Sequence, residues 1–279
     1  MGRFFCGWYF RCQSDRQTLA IIPSYHKTAA CNFCEIQVIT DSEAFSVSFP
    51  YRDFDKNGSS VRIADNHFSP KGIRLNIQRP DLSAAGNLLF GSFSKIHYDI
   101  MGPFRCIPFM QCRHSVYSMR HSVDGEIIVN GTPYLFQNAL GYMEGDRGRS
   151  FPREYVWTQC SFPDGALMLS VADIPLGTFR FTGVIGFVYL RGKEYRLATY
   201  LGAKAVKITP EEIIVRQGSF TLTVRPAEIS GHPLRAPGAG AMNRTIHEHP
   251  SCRVSYRFEK DSWPMLQLDA VNAALEYEY

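Results

Sequence analysis

Ile127-Ile128-Val129-Asn130-Gly131-Thr132-Pro133-Tyr134-Leu135-Phe136 reads as two strands joined by a two-residue turn. Asn and Gly both tolerate the positive φ that the tightest hairpin turns require, and the flanking residues are β-branched or aromatic. Outward from this hairpin the same period of two recurs along most of the chain, and apolar residues almost never repeat at helical spacing. Asp124-Gly125, Asn57-Gly58 and Asp164-Gly165 mark further turns. The pattern predicts about eighteen short strands between Phe4 and Tyr279, among them Phe4 to Arg11, Cys34 to Thr40, Arg113 to His121 and Tyr155 to Ser161. The chain is therefore all-β, with more strands than one small barrel or sandwich needs, and two β lobes in one compact unit are expected. Met101 to Phe109, with a Gly-Pro turn and a second proline, serves as the crossover and divides the chain into lobes 1–112 and 113–279. His232 to Gly240 is a second irregular segment, either a cover for a cavity mouth or an inert surface loop.

The 279 residues are 45% hydrophobic and 20% charged, which supports a sizeable core and excludes a disordered chain. The longest apolar runs, such as Val184 to Leu190, fall far short of the roughly 20 residues that span a bilayer. Net charge is +4. The 22 arginines and 8 lysines are spread between apolar residues rather than gathered into a basic stripe, so no nucleic-acid partner is expected. Phe4 to Phe10 is too short and too aromatic for a signal-peptide core, which predicts a cytoplasmic chain with its eight cysteines reduced and mostly buried. Cys31 and Cys34 precede an alternating strand rather than a helix and have no second pair, so neither a zinc nor a thioredoxin-type site follows. His247 and His249 share a strand face without a third ligand, and no metal is expected. No phosphate-binding loop, dinucleotide fingerprint or nucleophile elbow is present, and no cofactor is expected.

Chemistry concentrates in Gly141 to Cys160, where glycines and a proline interrupt the alternation and carboxylates, arginines and aromatics crowd together. Gly141, Gly148 and Pro152 predict an irregular loop, the usual place for function on a β scaffold. This segment resembles the tocopherol cyclase family through Tyr142, Glu144, Gly148, Phe151, Pro152, Tyr155, Trp157 and Gln159. Trp8 within Gly7-Trp8-Tyr9-Phe10, His97-Tyr98-Asp99, and the series His114, Ser118, His121 and Gly125 also look like family positions. Arg147 departs from the family pattern, which tends to have Trp there. The resemblance implies two lipocalin-like β-barrel halves, closure of a chroman ring on a prenylated quinol or other isoprenoid or aromatic lipid, and a small hydrophobic molecule as partner. A lipid of that kind would be reached through peripheral contact with a membrane.

Such a ring closure protonates an alkene and lets a phenol oxygen capture the cation, so the site needs an acid, aromatic faces and little water. Glu144 and Asp146, two apart in extended backbone, share one face and are the candidate acids. Desolvation would hold such a carboxyl protonated. Asp99 and His97 are further catalytic candidates, and Tyr142, Tyr155, Trp157, Gln159, His121 and Trp8 are candidate substrate contacts. His114 and His121 have opposite parity, so at most one of them should face a cavity. Two other readings stand beside catalysis. Glu144 and Asp146 could instead lock the segment through Arg147, Arg149 or Arg153, and the protein could be a lipocalin-like carrier that binds a hydrophobic ligand without turnover.

Overall fold

The computed structural model describes residues 3–108, 110–176, 178–238 and 240–279; Met1, Gly2, Phe109 in the expected crossover, Gly177 and Ala239 in the expected cover lie outside them. Strands β1 (Phe4–Gln13), β2 (Thr18–Lys27), β3 (Asn32–Thr40), β4 (Ala44–Pro50), β5 (Phe54–Asn57), β6 (Ser60–Ile63), β7 (Asn66–Ser69), β8 (Gly72–Arg79), β9 (Leu82–Phe90), β10 (Cys112–Val129) and β11 (Thr132–Gly148) make one antiparallel sheet. Strands β12 (Tyr155–Phe162), β13 (Gly165–Leu176), β14 (Phe179–Leu190), β15 (Lys193–Ala198), β16 (Lys204–Thr209), β17 (Glu212–Gln217), β18 (Phe220–Pro226), β19 (His232–Gly238), β20 (Ala241–Lys260) and β21 (Trp263–Tyr277) make a second. Three short 3-10 turns, at Tyr51–Asp53, Gly102–Cys106 and Thr199–Leu201, are the helical content among the described residues. None is long and apolar enough to cross a membrane.

The all-β reading holds, whereas the barrels do not: neither sheet closes on itself in its hydrogen-bond order among the described residues. The first runs β4-β3-β2-β1-β11-β10-β9-β8-β7-β6-β5, and the second runs from β15 to β16 through β12, β21 and β20. The hairpin at Asn130-Gly131 forms as expected, with both residues at positive φ (49° and 84°) between β10 and β11. Asp124-Gly125 is no turn. It lies inside β10, where Gly125 (φ 126°) lets the backbone approach Asn87 so closely that a Cβ would sit 2.3 Å from its carbonyl oxygen.

The chain forms two compact units, one of residues 1–96, 114–150 and 234–245, the other of 97–113, 151–233 and 246–279. The expected cut at 112/113 is therefore displaced. Strands β10 and β11 pair with β9 and β1, which keeps 114–150 in the first unit. The expected crossover instead belongs to the second unit and returns to a strand of the same sheet it left. Arg196 holds this excursion, donating to the carbonyls of Tyr98 (3.0 Å) and Asp99 (3.2 Å) while bound to Glu194.

In the first unit, alternate residues of β1 (Cys6, Trp8, Phe10, Cys12) enter an apolar core with Leu19, Ile21, Ile36, Val38 and Met143. The opposite face of β1 to β3 is also buried, but polar: Arg11, Gln13, Ser24, His26, Glu35 and Gln37 lie on it. In the second unit, Val156, Cys160 and Phe162 of β12 point into a core with Leu169, Val188 and Phe258.

Close packing between neighbouring strands of the first sheet rests on Gly141, where a Cβ would meet His121 Nε2 at 2.3 Å and Val123 Cγ2 at 2.7 Å. Gly141→Ala should cost about 1–3 kcal/mol through overpacking, read as a lower urea midpoint with an unchanged slope. An unaltered midpoint would show that the His121 ring has room to move.

Candidate functional site

The segment expected to be a loop is strand up to Gly148, because Gly141 and Gly145 serve close approach rather than turning. A Cβ on Gly145 would lie 2.7 Å from the Gly7 carbonyl oxygen. Extended backbone then carries Tyr142, Glu144 and Asp146 to one face of β11, as their spacing predicts, and Met143 to the core on the other.

Histidine 114, on β10, completes this face. Its Nδ1 lies 3.1 Å from Asp146 Oδ1 and its Nε2 lies 3.2 Å from Glu144 Oε2. The first contact is a hydrogen bond; the second has ion-pair distance without hydrogen-bond geometry, so its attraction is coulombic. Tyr142 Oη donates a short hydrogen bond to the same Glu144 oxygen. The His114 and Glu144 side chains are 10% and 7% exposed and Asp146 is 22% exposed, which makes Asp146 the most accessible of the three.

Burial opposes a charge on His114, but Glu144 and Asp146 together outweigh it and hold the imidazole well above its ordinary pKa. Burial and the adjacent Glu144 likewise push the Tyr142 phenol well above its usual range, so it remains a donor. The arrangement is an imidazolium bracketed by two carboxylates, one of them tied to a phenol. Its three ligand-type atoms lie within 4.8 Å of one another. A metal would have to displace the imidazole proton and draw to one ring nitrogen two carboxylates that now meet different ones, so the geometry suits a proton better than an ion.

A histidine, rather than one of the arginines of the alternative lock, is seen beside both carboxylates. Arg147 and Arg149 are exposed, Arg153 lies 4.0 Å from Glu154, and His114 is the cation set between Glu144 and Asp146. His114 was not among the expected catalytic residues. Its parity was readable, but the strand beside it was not.

The other candidates divide between the two units. His121 faces away from this cluster, its ring 4.7 Å from Phe90 and 4.6 Å from Phe93, with Nδ1 bonded to Ser118 Oγ (3.0 Å). Trp8 lies in the core of the same unit. In the second unit, Tyr155 Oη donates to Glu276 and Gln159 Nε2 donates to Ser161 Oγ (3.0 Å). Tyr155, Trp157 and Gln159 occupy the face of β12 opposite its core residues, and all are buried. Asp99 Oδ1 accepts from the Met101 backbone N–H (2.9 Å), and the His97 ring is largely exposed beside Glu194 (3.8 Å). The Asp99 side chain thus caps a turn within the 97–113 excursion.

No family model matches the chain. It is 30% identical over 117 residues to "Probable tocopherol cyclase, chloroplastic" of Oryza sativa subsp. japonica, a match that takes in 39% of this chain and only 25% of that protein. Among solved structures, CghA with Sch210972 superposes with a TM-score of 0.64 at 9% identity, over 99% of this chain and 88% of that one. Kievitone hydratase from Nectria haematococca gives 0.56 at 10%, over 99% and 89%. AttH from Nitrosomonas europaea gives 0.56 at 12%, over 100% and 93%. At these identities the structural likeness shows a common fold, and the partial match to the rice protein agrees loosely with the resemblance seen at Tyr142 to Gln159.

The two histidines of β10 should titrate with opposite effects on stability. His114, raised in the folded state, adds stability that is complete below the unfolded imidazole value of about 6.5 and is lost as pH rises through its folded pKa. Burial lowers His121 to about 3, so its contribution is present above about 6.5 and fades as pH falls. The stability gap between wild type and His114→Gln should therefore narrow from about pH 6 to about pH 9 in urea titrations. A gap that widens would contradict the bracketed imidazolium.

Proposed function

We propose that the protein is an acid–base enzyme of the cyclase and hydratase type, acting on an isoprenoid or aromatic lipid, with ring closure of a prenylated quinol as its reference reaction. The observation that supports this reading is the buried cluster of His114, Glu144, Asp146 and Tyr142. Ring closure takes one proton onto an alkene carbon and releases one from the phenol oxygen as the new C–O bond forms. The site must therefore lend a proton and recover it. Moving the His114 proton to Glu144 turns an ion pair into two neutral groups, so the proton can be lent along an existing contact. Neutral Glu144 is then the acid, His114 and Tyr142 set its proton supply, and Asp146 is placed to take up the phenol proton. Ligand binding without turnover remains the second reading, supported by a separate pocket in the first unit that no carboxylate lines.

The test uses Glu144→Gln, Asp146→Asn and His114→Gln with a prenylated hydroquinone. Turnover should fall by roughly 10²- to 10⁴-fold while the variants stay folded and ligand affinity stays near wild type. Unchanged turnover in all three variants would remove the cluster from the mechanism. Loss of folding in all three would make it a structural clamp.

A further inference from the structure

On the side of β11 opposite Glu144, the first unit holds a pocket of about 650 Å³. Buried Trp8 and Met143 form its floor, and Phe90, Phe93 and Tyr117 form its apolar walls. The turn between β5 and β6, the turn between β7 and β8 and the segment after β9 supply the rim, and each contributes to a different feature of it. Lys56, near the end of β5, has its Nζ 5.2 Å from the Trp8 ring centroid, Lys71 sits in the second turn, and Lys95 lies two residues after Phe93. All three lysines are exposed, and no carboxylate lines the pocket. Among the described residues none of the three lies within ion-pair distance of an acidic group.

Three ammonium groups around one mouth repel one another, and among the described residues no carboxylate of the pocket lining offsets them. An anion placed at the rim would. The aromatic floor and walls fit an apolar body, and hydrophobic burial would supply most of its binding. We infer that this pocket binds an amphiphile with an anionic head and an apolar tail or ring system, the chemistry shared by long-chain fatty acids and prenylated aromatic acids. The head group rests among Lys56, Lys71 and Lys95, and the body lies over Trp8 and Met143. This site does not depend on proton transfer at Glu144, which projects from the other face of the strand.

Calorimetry with dodecanoate, dodecanol and dodecyltrimethylammonium, each below its micellar concentration, tests the assignment. Dodecanoate should bind saturably with one site, and dodecanol about tenfold or more weaker. The ammonium should be weaker still. Lys71→Glu combined with Lys95→Glu should reduce dodecanoate affinity by about tenfold without changing that for dodecanol, and added salt should weaken the dodecanoate arm alone. Lys71→Gln with Lys95→Gln replaces that pair should the double reversal fail to fold, with a smaller loss in the same direction. Dodecanoate affinity should also be unchanged in His114→Gln, which separates failure at this pocket from failure of the proton cluster. Equal affinity for dodecanoate and dodecanol, indifference to the lysine variants, or no saturable binding would each overturn the proposal.

Discussion

The ladder between β1 and β11 is the joint on which the first sheet depends. It pairs Phe5 with Gly148 and runs to Gln13 opposite Leu140, joining the meander β4-β3-β2-β1 to the series from β11 to β5. Without it there would be two smaller sheets, each with a raw edge of unpaired backbone groups. The same ladder places Tyr9 opposite Glu144 and Arg11 opposite Tyr142, so the buried polar face of β1 is built together with the proton cluster. Closing it means bringing together residues far apart in sequence, an entropic cost that is met before most of the core contacts can reward it.

Strand β11 separates two environments by side-chain alternation alone. Met143 faces hydrocarbon, while Tyr142 and Glu144 face a buried polar layer. Burying an imidazolium with two carboxylates seldom adds stability over an apolar packing of equal volume, because desolvation consumes the coulombic gain. The cluster is therefore better understood through what it can do than through what it holds together. The Arg196 and Glu194 pair in the second unit has the opposite character: its guanidinium is spent on backbone carbonyls at Tyr98 and Asp99, leaving no donor aimed at a ligand.

What could be read from the chain follows the strength of local signals. Asn130-Gly131 fixes its hairpin from two residues, and the spacing of Tyr142, Glu144 and Asp146 fixes their common face. Strand β2 carries no such signal, because both its faces are buried, which erases alternation, and because Pro23 stands in its middle. The structure accommodates that proline by interrupting the ladder with β1 between Gly7–Ser24 and Phe10–Ile21. Strand β19 reads as an irregular segment for a related reason, its prolines and glycine. Gly141 points the other way: it reads as a loop residue, yet it sits inside a strand and admits the His121 ring. His114 shows the deeper limit: a strand's own period tells which face a residue takes, but its partner is chosen by sheet order, which no local pattern encodes.

The excursion at 97–113 and the return at 234–245 mean that neither unit is a single stretch of chain. Residues 1–245 contain all of the first unit together with incomplete second-unit segments, while any fragment beginning after residue 96 has lost β1 to β9. No single break in the polypeptide releases either unit whole and alone. The two halves are thus bound by their threading to be made, inherited and degraded as one piece, and shuffling one of them onto another protein would require several cuts rather than one.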